Sequence, residues 1–175
     1  MQKIKDALKK IRSIFRIGSR ELIIALSVIA AAIFADQLTK FLAVKFLEPI
    51  PTCPLFEGVL HLTYHENRGA AFGIFADKRW IFMSVSVIMI VGLLIYLLLG
   101  KCENMLYTVS LSMIIGGGIG NMIDRIALGY VVDFIDFRLI NFAIFNGADS
   151  FVCVGSGLLV LALVLDIIKE AKAKK

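Results

Sequence analysis

Cysteine, histidine and buried charge are all scarce in this sequence. Its 175 residues hold three cysteines, two histidines, three prolines and one tryptophan. Cys53, Cys102 and Cys153 are odd in number and fall in separate regions, so they outline neither a disulfide framework nor a CxxC metal or redox site. His61 and His65 lie close together with no third ligand in pattern beside them, and neither a metal nor any other cofactor is expected. The run Gly116, Gly117, Gly118 and Gly120 lacks the Lys-Ser or Lys-Thr that would follow in a phosphate-cradling loop. Basic and aromatic residues do not interleave as they would on a base-stacking surface, so no nucleic-acid partner is expected.

What the chain has in abundance is apolar surface. Hydrophobic residues make up 59% of it and the mean hydropathy is +0.85, well outside the range of soluble domains. Four apolar stretches, 22–46, 80–100, 105–126 and 148–168, each have the length of about 20 residues that a helix needs to cross a bilayer core. Lipid offers a backbone no hydrogen bonds, so these stretches must be helical. The expected fold is an all-α membrane protein of four transmembrane helices.

The net charge of +5 is concentrated at the two ends, from Lys3 to Arg20 and from Lys169 to Lys175. Basic residues flanking apolar spans are what anionic lipid and the positive-inside rule select, which puts both termini in the cytoplasm. The connection 101–104 is then cytoplasmic, and the long segments 47–79 and 127–147 face outward. Residues 1–21 form a basic extension with Ile4, Leu8, Ile11 and Phe15 at helical spacing, the pattern of an amphipathic helix lying in the membrane interface. A solvated basic tail is the alternative. Residues 22–168 form one transmembrane domain, and 169–175 a basic cytoplasmic tail. A cleaved secretory leader is not expected, because the first apolar stretch is long and carries Asp36 and Lys40.

The first outer segment holds more than a linker. Val59 to His65 alternates apolar and polar residues and reads as a strand, and Asn67, Arg68 and Gly69 supply a turn. Ala70 to Phe75 could return as a second strand, giving a small extracytoplasmic β-sheet resting on the membrane.

Ionisable groups inside spans are expensive and need a partner or a function. Asp36 lies about 21 Å along the first span from its cytoplasmic end, and Lys40 one turn further, so an ion pair is the default reading. The third span reaches Asn121, Asp124 and Arg125 at its outer end, all on one face by their spacing. The fourth span begins from outside at Asn146 and Asp149, and Asp133 sits in the outer connection between them. These groups converge at one depth, while the cytoplasmic halves of the spans carry almost no charge. Asp133 and Asp149 thus have two readings: a solvated loop residue and a helix cap stabilised by the dipole, or an acid pair. Two carboxylates in a desolvated cleft cannot both ionise cheaply, so together they hold one proton and offer a base and an acid at neutral pH. That combination suits metal-free hydrolysis of an amide. Cys153, one turn beyond Asp149, is read as packing.

Five segments carry a family resemblance: Asp36-Gln37-Leu38-Thr39-Lys40, Asn67-Arg68-Gly69-Ala70-Ala71-Phe72, Gly120-Asn121-Met122-Ile123-Asp124-Arg125, Val131-Val132-Asp133-Phe134-Ile135 and Phe145-Asn146-Gly147-Ala148-Asp149-Ser150. In this order they resemble the motifs of bacterial lipoprotein signal peptidase, or signal peptidase II. The resemblance implies an aspartic endopeptidase of the bacterial cytoplasmic membrane that removes the signal peptide from prolipoproteins just before a diacylglyceryl-modified cysteine. It implies that Asp133 and Asp149 are catalytic, that Asn67, Gly69, Asn121, Arg125 and Asn146 bind substrate and shape the site, and that Asp36, Lys40 and Asp124 are structural. Expected partners are lipidated prolipoproteins, membrane lipids and cyclic peptide inhibitors such as globomycin, with the chain acting as a monomer. Two rivals remain distinguishable: a proton-coupled carrier, which would need polar groups reaching both faces, and a scaffold, which would tolerate loss of either aspartate.

Overall fold

A computed structural model of the chain describes residues 16–69, 79–100, 102 and 104–174. The expected return strand over 70–75 lies outside these residues, as does the expected amino-terminal extension over 1–21 apart from residues 16–18, which are non-helical, and 19–21, which open the first long helix. Four long helices carry the fold: α1 (Ser19–Leu47), α2 (Arg79–Leu98), α3 (Met105–Ala127) and α4 (Gly147–Ala173). α1, α3 and α4 are long and apolar enough to cross a membrane, and α2 contributes the shorter apolar stretch Met83–Leu98 among the described residues. The chain is a multi-pass membrane protein. The apolar side chains that face outward, such as Phe34, Ile88 and Ile167, are solvated by lipid rather than water.

α3 is the central helix, and its composition explains why. A methyl group on Gly116 would stand 2.8 Å from the Ala32 side chain of α1, and one on Gly117 would run into the Ala148 carbonyl oxygen of α4. At Gly120 it would lie 2.5 Å from Asp36 Oδ2. Without those methyl groups the backbones of α1 and α4 close on α3 from either side, as small residues allow between membrane helices. Farther along the bundle Ala25, Leu97, Leu111 and Ile115 form a buried apolar core.

The sheet lies at the opposite end of α1 from this core. Three antiparallel strands, β1 (Cys53–Phe56), β2 (Leu60–Asn67) and β3 (Val131–Phe137), pair in that order. The sequence-predicted strand is thus present as β2, paired with β1 on one side and β3 on the other. The 127–147 segment, read from sequence as a plain outer connection, contains β3, and Asp133 therefore stands on a strand paired with His65 of β2. Val132 packs with Ala43 and Leu47 at the end of α1, with Leu62, Tyr64 and Phe134 around them, which seats the sheet on the helix bundle. A register shift between Leu62 and His65 breaks the simple alternation expected of His61, Thr63 and His65.

Two caps fix where β3 begins. α3 ends as the Leu128 and Gly129 amides donate to the Asp124 carbonyl, with Gly129 at φ 86°, a left-handed conformation that glycine reaches without cost. The Asp124 side chain then accepts the Val132 amide at 3.1 Å, so helix end and strand start are one unit.

Candidate active site

Asp133 and Asp149 come together through the residue that caps the start of α4. Asn146 caps that helix: its Oδ1 accepts the Asp149 amide at 3.0 Å, while Asp149 Oδ2 accepts the Asn146 amide at 3.3 Å, a reciprocal capping box. The other end of the same side chain, Nδ2, donates to Asp133 Oδ1 at 2.6 Å and to the Val132 carbonyl at 3.3 Å. One asparagine therefore touches both carboxylates, and the place of Asp149 in the cap is compatible with its membership of an acid pair.

Each acid has a second amide. Asn67, at the end of β2, donates from Nδ2 to Asp133 Oδ2 at 2.9 Å, and its own Oδ1 accepts the Gly69 amide at 3.0 Å. Asn121 of α3 donates from Nδ2 to Asp149 Oδ1 at 2.7 Å. All four carboxylate oxygens thus accept one N–H, which holds both side chains in fixed rotamers. Asp133 and Asn146 are almost completely buried. Burial is the main reason the Asp133 carboxyl is pushed up to about 6; the Asn67 amide opposes the rise and the Asp149 charge adds to it.

Beneath the amides lies a buried ion cluster. Lys40 Nζ is 2.9 Å from Asp36 Oδ2, as the one-turn spacing suggested, and 3.0 Å from Asp124 Oδ2. Its third bond, 2.8 Å, goes to Asn121 Oδ1. Asp36 Oδ1 also accepts the Ala148 amide at 2.8 Å, closing the first turn of α4 from another helix. Gln37 went unnoticed in the sequence, yet its Nε2 bridges Asp36, the Gly120 carbonyl and Asp124 at 3.2, 3.2 and 3.0 Å. Its position one residue after Asp36 in a helix end that must meet α3 was the available signal.

Arg125 stands apart from the amides. Its guanidinium bonds the Asn121 carbonyl of its own helix at 3.5 Å and lies within electrostatic reach of Asp149, Asp133 and Asp124 without an ion pair to any of them. His61, one of the two histidines, is engaged at the sheet, where Nε2 accepts the Gly58 amide at 3.2 Å and Nδ1 meets the Thr52 hydroxyl at 3.2 Å.

Against known proteins, residues 28–165 match the model of the family described as signal peptidase (SPase) II. The chain belongs to the signal peptidase II family. A lipoprotein signal peptidase from Caldanaerobacter subterraneus is 51% identical over 77% of this chain and 92% of its own length. One from Brevibacillus brevis is 47% identical over 79% and 93%, and one from Bacillus subtilis 42% identical over 85% and 96%. A solved structure described as a bacterial membrane enzyme, 31% identical, superposes with a TM-score of 0.73 over 87% of this chain and 92% of that one. As a signal peptidase II, the chain is a peptidase acting on the signal peptides of lipoproteins, and its fold is similar to that of the solved membrane enzyme.

Proposed function

We propose that Asp133 and Asp149 are the catalytic pair of this signal peptidase II, cleaving prolipoproteins on the amino-terminal side of the diacylglyceryl-modified cysteine. The observation that carries the reading is the single amide of Asn146, which bonds Asp133 and caps the helix turn that presents Asp149. It couples the buried Asp133 to the half-buried Asp149, beside the Lys40 ion cluster and the Arg125 guanidinium.

The chemistry follows from sharing one proton. The ionised carboxylate takes a proton from water as its oxygen attacks the scissile carbonyl carbon. The protonated carboxyl donates to the carbonyl oxygen and stabilises the tetrahedral intermediate. Collapse of that intermediate breaks the C–N bond, and the proton gained by the first aspartate passes to the leaving amine of the lipidated cysteine. Asn67, Gly69, Asn121 and Asn146 hold the two acids and their surroundings, and Arg125 supplies positive potential beside them. No metal takes part in this scheme.

Placement in the membrane supports the substrate class. Counting α2 as a fourth span puts both termini on the cytoplasmic side and the pair at the outer interface, in the bacterial cytoplasmic membrane. A cysteine whose acyl chains stay in the bilayer is held at that depth, and globomycin-type cyclic peptides would compete for the same cleft.

The test is cleavage of synthetic precursor peptides by the purified protein. Asp133→Asn and Asp149→Asn are each expected to lower kcat by about 100-fold or more, lipidated precursor to be cleaved in strong preference to unlipidated, and chelators to have no effect. Normal turnover by both variants would refute the pair, and chelator inhibition reversed by zinc would replace it with a metal site.

A further inference from the structure

We propose that Lys40 is a positioning residue of the reaction, its ammonium dictating through Asn121 and Asn146 which end of each amide faces the two aspartates. The proposal rests on the reading of Asp133 and Asp149 as the reacting pair. It gives Lys40 a duty that an ion pair with Asp36 would not require.

The argument starts from what an ammonium can do. It has three N–H groups and no lone pair to accept a bond. Lys40 is buried and spends all three, on Asp36, Asp124 and Asn121. Only an oxygen can face the third, so Asn121 turns Oδ1 toward Lys40 and Nδ2 toward Asp149. The same Oδ1 accepts Nδ2 of Asn146 at 3.0 Å. Asn146 is thereby oriented as well: Nδ2 reaches Asp133 and Oδ1 is left to accept the Asp149 amide. A donor-only group at one end of the relay thus propagates its polarity to both carboxylates. Flipping Asn121 would set an NH2 against an ammonium and an oxygen against a carboxylate, two repulsive contacts in place of two attractive ones.

Every charged group around the relay has an assigned place. Asp36 on α1 and Asp124 on α3 hold the ammonium, Asp133 on β3 and Asp149 on α4 receive the amides, and Arg125 on α3 faces the acids through space. If Lys40 served only to neutralise Asp36 and Asp124, the direction of the Asn121 amide would not depend on it.

The experiment compares Asp124→Asn with Asp124→Asn carrying Lys40→Met in addition, both as full-length protein in bilayer discs. The paired design avoids leaving two buried carboxylates without their cation. Loss of Lys40 from the Asp124→Asn background is expected to lower kcat on the order of 100-fold with little change in KM, as misdirected catalytic groups do, and to shift the pH profile of kcat/KM relative to Asp124→Asn alone. Selective ¹⁵N labelling of asparagine gives a readout independent of catalysis: the Asn121 and Asn146 side-chain signals should move or broaden only when Lys40 is lost. Equal kcat and unchanged amide signals in the two variants would overturn the proposal. Amide signals that respond while Asp133→Asn still cleaves normally would instead remove the acid-pair reading beneath it.

Discussion

The Asp133 carboxyl carries a thermodynamic signature of its burial. Its folded value of about 6 lies above the ordinary 3.8, so the native state binds this proton more tightly than the unfolded chain does. Stability from this group is therefore full below about pH 4 and is lost as pH rises through about 6, a difference of about 3 kcal/mol. Thermal unfolding in detergent should show a midpoint that falls between pH 4.5 and 7, and Asp133→Asn should flatten that slope. On the proposed one-proton sharing, the same titration would set an alkaline limit on catalysis, because the shared proton would be lost above it. Measured kcat/KM is expected to trace a bell, with its basic limb at or above about pH 6, and a profile that keeps rising to pH 9 would contradict one-proton sharing. At this scale the sequence was most informative. Asp36, Lys40, Asn121, Asp124, Asn146 and Asp149 are recognisable because charge and amides in apolar spans have few other reasons to exist. It could not say that Asn146 serves both acids, because one side chain's two ends act on different elements and no spacing records that.

Among elements, the glycine face of α3 is the most constrained. Gly117→Ala and Gly120→Ala would push against the Ala148 carbonyl and the Asp36 carboxylate, the second of which has no room to move while it holds Lys40. Overpacking of this kind costs about 1–3 kcal/mol, and cleavage should fall by more than the loss of folded protein accounts for, since α4 would be displaced with Asp149 on it. Comparing activity per folded molecule, counted by gel filtration, checks this. Asn146→Ala removes a helix cap worth about 1 kcal/mol and the Nδ2 bonds to Asp133, Asn121 and Val132, keeping only the backbone N–H to Asp149, so activity should drop much further than stability. Helices were legible from their apolar length; β3 was not. Val131, Val132 and Asp133 are all buried, because α1 and α3 pack against the strand and Asn146 meets Asp133. A strand covered on both faces shows no alternation, and the period-two signal that exposed β2 is missing. β1 escaped for a different reason: it is short, at the sheet edge and carries Pro54.

Over the whole molecule, the polar residues are sorted by depth and the cysteines can report it. Cys53 lies on β1 beside the sheet, Cys102 in the connection between α2 and α3, and Cys153 within α4. A membrane-impermeant thiol reagent applied to right-side-out vesicles should label Cys53 alone, and to inverted vesicles Cys102 alone, which tests the four-span topology directly. Labelling of both from one side would mean that α2 does not cross. The order in which the chain is made adds a final consequence to the Asp36–Ala148 hydrogen bond, which ties residues 112 positions apart. The first helix to leave the ribosome supplies the acceptor that completes the last one. On the proposed pairing, a chain still lacking its final span would offer Asp133 no partner acid and Asp36 no amide to receive, so the capacity to cut would arise only with the last helix.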